Sequence, residues 1–267
     1  MTNYDKQRRR EEKLIKERQD ALARAESAEN ERIRLYSILD GIMHETRRLN
    51  SEIASACEEV SKNIEKKDYA LASSNADDAF YTSGLISSRL TFADYEINPE
   101  AITRQAKYSA NVYKKFDKAR RILARNAKRR KIRVILNGPS RNEINVLPAF
   151  EMVPFVLIEN AVKYSPGNQD VVIDVRDSPS PGVRINVRIT STGPTIDPEE
   201  LPRLTQRGSR GKSAIKSGIV GEGIGLYLAN TLVKLANGRM LISASQDMKY
   251  MVDGVSYSEF EVNLFFS

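Results

Sequence analysis

Tryptophan is absent from the 267-residue sequence, and cysteine and histidine occur once each, as Cys57 and His44. A single cysteine excludes any disulfide within the chain. With one cysteine and one histidine, a zinc site of the usual thiolate–imidazole kind has too few ligands. Such sparse cysteine fits a reducing, cytoplasmic setting. No apolar run approaches the roughly 20 residues that a membrane-spanning helix needs. The opening stretch, MTNYDKQRRREEKL, is charged from its start, unlike a secretory leader. Proline is missing between Asp5 and Lys67, and Gly41 is the only glycine there, so little in that run breaks a helix.

What is present is enough apolar material, 40% of residues, to build a core. The formal charge of +7 is spread unevenly. Between residues 104 and 133, Asp117 is the only acid among many lysines and arginines. Such a field attracts nucleic acid, anionic lipid, nucleotide or an acidic protein, or it is simply a solvated helix face. No recognisable helix-turn-helix or similar reader accompanies it, so a nucleic-acid partner is not expected.

The N-terminal third reads as helix. Leu14, Ala21, Ala28, Leu35 and Ile42 recur every seven residues, a coiled-coil period. From Leu39 a sharper stripe begins: Leu39, Ile42, Thr46, Leu49, Ile53, Ala56, Val60 and Asn63. After the polar turn at EKKD, a second stripe comprises Tyr69, Ala72, Ala76, Ala79, Ser83, Ile86, Leu90 and Ala93. Two amphipathic helices joined by a tight turn form an antiparallel hairpin. Alone it buries only part of its apolar surface, so pairing with a second copy into a four-helix bundle, a homodimer, is expected. With Leu39 and Ile42 at a and d, His44 falls at f, the position farthest from the seam.

Asn98-Pro99 marks a boundary. Beyond it the pattern predicts a helix over about 100–130, then strands KIRVIL and EINVL flanking a turn at NGPSRN. A helix over about 147–163 and the strands DVVIDVRD and VRINVRIT follow. A flexible stretch, RGSRGKSAIKSGIVGEG, leads to the helix IGLYLANTLVKLAN, and two strands close the chain. The fold class is α+β: the hairpin, then an α/β sandwich of antiparallel strands covered by helices. The expected domains are a spacer or signalling coiled coil over 1–38, the hairpin over 39–97, and the sandwich over 98–267.

Two phosphate-binding motifs are excluded. GSRGKS, residues 208–213, lacks the first glycine of a phosphate loop, since Gln206 stands there. GEGIG, residues 221–225, fails the dinucleotide pattern because Leu226 replaces the third glycine. What survives is a glycine-rich loop running into a helix start, where backbone N–H groups and the helix dipole favour phosphate.

Four segments together say more. LIENAVKYSP (157–166) resembles the N-box of sensor histidine kinases. STGPTI (191–196) resembles their next glycine box, LPRLTQRGSRG (201–211) the segment between, and GEGIGLYLANTLVKLANGRM the last glycine box with its helix. They stand in the family's order over roughly residues 100–267. The resemblance implies a Bergerat-type ATPase fold, shared with gyrase, a chaperone class and mismatch-repair proteins. The preceding hairpin, with MHETRR around His44, resembles the dimerising phosphoacceptor hairpin of the same kinases.

The resemblance implies an ATP-dependent protein histidine kinase of a two-component system. It would autophosphorylate His44 and pass the phosphoryl group to an aspartate of a response-regulator receiver domain. An exposed neutral imidazole can serve as the nucleophile. Glu45 would take or orient the proton on the other ring nitrogen. ATP and Mg²⁺ are the implied cofactors. Asn160 would hold the metal, Lys163 would face the phosphates, and Tyr164 would pack near the nucleotide. Gly193 would let the backbone approach adenine. Gly221, Gly223, Gly225 and Leu226 belong to the lid and helix start at the phosphates. Arg207 and Arg210 would clamp phosphate or touch the hairpin. The resemblance implies a signal from a separate upstream sensor protein or from a sensor region missing from this sequence.

Two positions depart from the family pattern. Ser191 stands where an aspartate usually meets the adenine amino group; a hydroxyl accepts that bond without charge assistance. Arg48 stands where many relatives carry Thr or Asn to position water, and the customary proline after the box is missing. Dephosphorylation of the partner is therefore not expected to follow from the resemblance. A nucleotide-driven dimeric scaffold without phosphotransfer and a nucleic-acid-associated Bergerat ATPase are the alternative readings.

Overall fold

A computed structural model describes residues 3–267 apart from 139, 179–181 and 222; the side chains of 3–12, 34, 37, 45, 88, 99 and 101 are also outside the description. Residue 139 falls in the expected NGPSRN turn and Glu45 in the expected acceptor box, so the turn is described only in part and the Glu45 side chain not at all. Compactness divides the chain into two units, 1–47 and 48–267. The first is the N-terminal run of helix α1 (Asn3–Glu65). It carries Leu14, Ile15, Leu22 and Ile33 exposed, and His44 is exposed on it.

The second unit holds the rest of α1 and every later element. The expected hairpin is present: α1 turns at Lys66–Asp68 into α2 (Tyr69–Ile97). Lys67 takes the left-handed conformation, φ 60°. The Asp68 N–H then reaches Asn63 O at 2.8 Å and the Lys67 N–H reaches Ile64 O at 2.9 Å, closing the helix end. Asp68 starts α2 by accepting the Leu71 N–H at 2.9 Å. Leu49 and Asn63 are buried on the expected α1 stripe, and Ile53, Ala56 and Val60 are half-buried.

The expected α2 stripe is only partly the buried one. Ala72 and Ala93 are buried, but Ala76, Ser83 and Leu90 are exposed. A second stripe, Asp78, Tyr81, Leu85, Arg89, Phe92 and Glu96, packs on the α/β body. Tyr81 lies 6.3 Å from Phe155, ring to ring, and Phe92 lies 6.3 Å from Tyr227. The larger side chains of this stripe bury more apolar surface than the alanines of the other, and the α/β body supplies that burial within one chain.

After a short helix α3 (Pro99–Thr103) come β1 (Tyr108–Asn111) and α4 (Val112–Arg129), where a single helix was expected. Asn111 is the reason: its Oδ1 accepts the Lys114 N–H at 3.0 Å and its amide donates to Ser140 O at 3.0 Å, so the helix begins only there. The next strands are β2 (Arg133–Asn137) and β3 (Glu143–Val146). They do not form a hairpin with each other. β3 pairs antiparallel with β1, and β2 pairs in parallel with β4 (Asp170–Asp177). The route from β2 to β4 passes through β3 and helix α5 (Met152–Tyr164), and such a crossover permits parallel pairing.

The main sheet has the order β2-β4-β5-β8-β6, with β5 spanning Ile185–Pro194, β6 Gly238–Ala244 and β8 Val255–Phe266. All its pairs but β2–β4 are antiparallel. A short strand β7 (Tyr250–Val252), absent from the expectation, pairs with β8. Helices α4, α5 and α7 (Gly225–Leu235) cover the sheet. A five-residue helix α6 (Lys212–Lys216) lies in the stretch expected to be flexible.

Much of the basic stretch is paired within the chain. Lys115 and Lys118 both reach Glu151 at 2.7 Å. Burial works against the Glu151 charge, but the two ammonium groups outweigh it and hold its carboxyl below the usual range. Arg120 and Arg121 meet Asp117 at 2.7 and 2.6 Å. Arg125 and Arg129 pair with Asp78 of α2. Many cations of α4 therefore bind neighbouring elements; its apolar face, Val112, Phe116, Ala119, Leu123 and Ala127, is buried.

Candidate nucleotide cleft

A cleft open to solvent lies between α5, the sheet and the loop before α7. Of the residues singled out in the sequence, Asn160, Lys163, Tyr164, Ser191, Gly193, Arg210, Gly221, Gly223, Gly225 and Leu226 all line it. α5 supplies Asn160, Lys163 and Tyr164 from its last turns. β5 supplies Ser191 and Gly193: Ile189, Ser191 and Gly193 alternate along one face of that strand and form the floor.

The cleft has two chemically different ends, and Tyr164 spans them. A Cβ built on Gly193 would lie 4.0 Å from Tyr164 Cβ and 4.0 Å from Phe260 Cβ, on an apolar floor completed by Ile189, Ile196 and Val262. A Cβ built on Gly221 would lie 3.0 Å from the Tyr164 hydroxyl, 3.2 Å from Lys163 Nζ and 3.8 Å from Arg210 Nε. That end is cationic. Arg210 donates through Nη2 to Ala214 O at 3.2 Å and to Ile219 O. Its Nε is buried and has no acceptor among the described residues. A buried, unpaired guanidinium N–H is costly unless a ligand satisfies it.

The start of α7 adds to this end. Ile224, its N-cap, provides no side-chain cap, so the first N–H groups of the helix are left for a ligand. Gly225 keeps that start close to Asn160: a Cβ there would fall 2.6 Å from Asn160 Nδ2. Two lysine and arginine charges, free helix N–H groups and one carboxamide oxygen make a seat for a polyphosphate. The floor makes a seat for a flat apolar ring.

The remaining residues are placed elsewhere. Arg207 does not line the cleft. It touches the hairpin, with Nε 3.3 Å from Glu96 and the guanidinium 5.7 Å over the Phe92 ring. His44 belongs to the N-terminal unit and is exposed there.

Leu85, Arg89 and Glu159 are among the lining residues that the sequence did not single out. Leu85 and Arg89 come from α2, and nothing in their local pattern distinguishes them from other hairpin residues. Glu159 sits inside the N-box run beside Asn160. Burial pushes its carboxyl well up, against the pull of Lys163, Arg89 and Arg130. A carboxyl with a raised value in the fold binds its proton more tightly folded than unfolded. Its contribution to stability is thus lost as pH rises from the ordinary carboxylate range through the raised value. Glu159→Gln is expected to raise the melting temperature of the ligand-free protein at pH 7–8 and to leave it unchanged near pH 4. Melting curves of both proteins across that range check it; a difference independent of pH contradicts it.

Fold and cleft together define an α/β domain behind a helical hairpin, with a cleft that is cationic at one end and apolar at the other. Residues 148–262 match the family described as histidine kinase-, DNA gyrase B-, and HSP90-like ATPase. The resemblance carried by the four segments between residues 157 and 240 is borne out by that match. No curated protein sequence matches the chain.

Among solved structures, full-length ShkA in complex with AMPPNP is similar over 86% of this chain and 46% of its own, at TM-score 0.50 and 17% identity. This chain and ShkA share the fold, and this chain spans under half of that structure. The cytoplasmic segment of histidine kinase QseC is similar over 67% of this chain and 91% of its own, at TM-score 0.43 and 16% identity. The mycobacterial sensor histidine kinase MprB is similar over 60% and 97%, at TM-score 0.42 and 19% identity. Among the described residues, no helix is long and apolar enough to cross a membrane.

Proposed function

We propose that this protein is an ATP-dependent protein histidine kinase that phosphorylates His44 and passes the phosphoryl group to an aspartate of a receiver domain. The observation that carries the nucleotide half of this reading is the buried Arg210 Nε without an acceptor, set beside Lys163 and an uncapped helix start. A nucleotide triphosphate supplies the missing acceptor, with its base on the apolar floor. The hairpin with an exposed His44, immediately before an ATPase domain of this family, supports the phosphoacceptor half.

Lys163, Arg210 and the α7 N–H groups hold the phosphates and spread their charge. Asn160 Oδ1 is a hard oxygen donor at the phosphate end and would hold Mg²⁺ together with phosphate oxygens and water. That ion would neutralise charge on the transferring group. The imidazole of His44 forms an N–P bond to the γ-phosphorus as the bond to the bridging β–γ oxygen breaks, and ADP leaves. The proton of the other ring nitrogen goes to a base, the role assigned to Glu45. In the second step an aspartate oxygen of the receiver takes the phosphoryl group, and the N–P bond breaks. Exposed Tyr69, Leu71, Phe80 and Leu90 on α2 support pairing with a second copy.

Incubation with γ-labelled ATP and Mg²⁺ tests the proposal. Acid-labile label on the wild type, lost in His44→Gln and reduced at least about tenfold in Asn160→Ala, is expected. Label that persists in His44→Gln overturns the phosphoacceptor assignment. Nucleotide binding without any label favours a nucleotide-driven scaffold instead.

A further inference from the structure

The floor of the cleft carries little polar equipment. Ile189, Ile196, Phe260 and Val262 are apolar, and Gly193 has no side chain. Ser191 is the polar side chain of that floor. It is 7% exposed, and its hydroxyl makes no hydrogen bond among the described residues. Thr192, the next residue, is buried but does not line the cleft, because successive strand residues face opposite sides. The charged lining residues Lys163 and Arg210 gather at the other end, past the Tyr164 ring.

This arrangement bears on which nucleotide fits, and it rests on the reading of the cleft as a nucleotide site. A purine slotted between the apolar side chains, with its six-membered edge towards β5, would meet the Ser191 hydroxyl with that edge. Adenine offers an amino donor at C6 and an acceptor at N1; guanine offers a carbonyl acceptor at C6 and a donor at N1. A serine hydroxyl has one donor hydrogen and two acceptor lone pairs, and it rotates to suit either edge. A carboxylate there would only accept, and would leave a guanine carbonyl facing a negative charge. Discrimination by hydrogen bonding needs a group that the wrong ligand leaves unpaired, and a hydroxyl is left unpaired by neither base. We infer that Ser191 makes the cleft permissive for the purine, so that the protein binds GTP as well as ATP.

Calorimetry with Mg²⁺ and ATP, GTP or purine riboside triphosphate, which lacks any C6 substituent, tests this. Wild type is expected to bind ATP and GTP within about tenfold of each other, and the unsubstituted purine more weakly than either. Ser191→Ala should weaken ATP and GTP alike, by roughly three- to tenfold, and bring them level with the unsubstituted purine. Ser191→Asp should move the ratio at least about tenfold towards ATP. A melting curve shows whether that buried aspartate is tolerated; the alanine variant and the unsubstituted purine decide the matter if it is not. A wild-type preference for ATP beyond about a hundredfold overturns the inference, as does a Ser191→Ala variant that weakens ATP alone. ATP binding without GTP binding overturns this inference only. Failure of all three nucleotides to bind overturns the nucleotide reading as well.

Discussion

Gly223→Ala is expected to weaken nucleotide binding by about a hundredfold or more, a loss of roughly 2.7 kcal/mol. Gly223 sits at φ +70°, and a Cβ there would fall 2.5 Å from Gly208 C, 2.5 Å from Ser209 O and 2.7 Å from Ser209 N. These are backbone atoms, so no rotamer change makes room. The two ends of the lid meet at this point, where the Gly208 N–H donates to Gly223 O at 3.1 Å. An alanine must part them, and the lid that carries Arg210 and Gly221 then opens. Gly208 provides the control. It has a similar φ of +72°, but nothing lies within 4 Å of a Cβ built on it. Gly208→Ala therefore meets only the backbone cost, about 1 kcal/mol, or roughly fivefold in affinity if all of it falls on the lid. Calorimetric titration with ATP, beside melting curves to verify folding, separates the two. Equal effects of both substitutions would mean that lid closure at this point does not build the phosphate seat.

Glu96→Ala is expected to destabilise the second unit by about 3 kcal/mol, because a buried carboxylate between two donors is removed. The Glu96 side chain, at the end of α2, is 3% exposed. Its Oε1 accepts the Tyr227 hydroxyl at 2.9 Å and its Oε2 lies 3.3 Å from Arg207 Nε. Tyr95 and Phe92 pack edge-on against the Tyr227 ring at 6.2 and 6.3 Å. Arg207 precedes the lid and Tyr227 follows it, so one hairpin carboxylate ties both roots of the lid. Glu96→Gln keeps an acceptor for Tyr227 but loses the charge facing Arg207, and should cost less than alanine. Denaturant unfolding of both variants, with Tyr227→Phe and the double variants, measures the coupling.

A pH dependence follows from the same contact. Burial, with Glu96 beside it, pushes the Tyr227 phenol up to about 12. The folded state therefore favours the neutral phenol. Its contribution is full below the ordinary tyrosine value and is lost as pH rises through about 12. The wild-type stability curve should fall more steeply than that of Tyr227→Phe above about pH 10. Parallel curves would show that the phenol makes no such contribution. Hydrogen exchange at 92–97 and 225–230 should quicken in Glu96→Ala, and unchanged exchange would count against the tie.

The cleft was legible in the sequence because its parts sit in short contiguous segments. Asn160, Lys163 and Tyr164 lie within one helix end. Gly221, Gly223, Gly225 and Leu226 lie within one loop and helix start. Ser191 and Gly193 share one strand face. Steps of four, two and one within such segments bring side chains together by local geometry alone. Arg207 shows where this ends. It lies three residues before Arg210 in the same glycine-rich stretch, yet it faces the hairpin, because Glu96 offers a buried carboxylate there.

The sequence by itself determined the two helices and their turn and the glycine-rich approach to α7. It also determined the set of side chains that makes one end of the cleft cationic and the other apolar. Those depend on periodicity and on backbone preferences, which act between near neighbours. Only the tertiary structure decided which strands pair. β2 runs parallel to β4 rather than folding back on β3, because α5 must cross the sheet before the chain returns. Only the tertiary structure decided which face of α2 is buried. The helix has two stripes that satisfy its period, and the choice fell to Tyr81, Leu85 and Phe92 once α5 and α7 offered them a surface. Burial is a property of pairs of elements, and a single helix does not contain its partner.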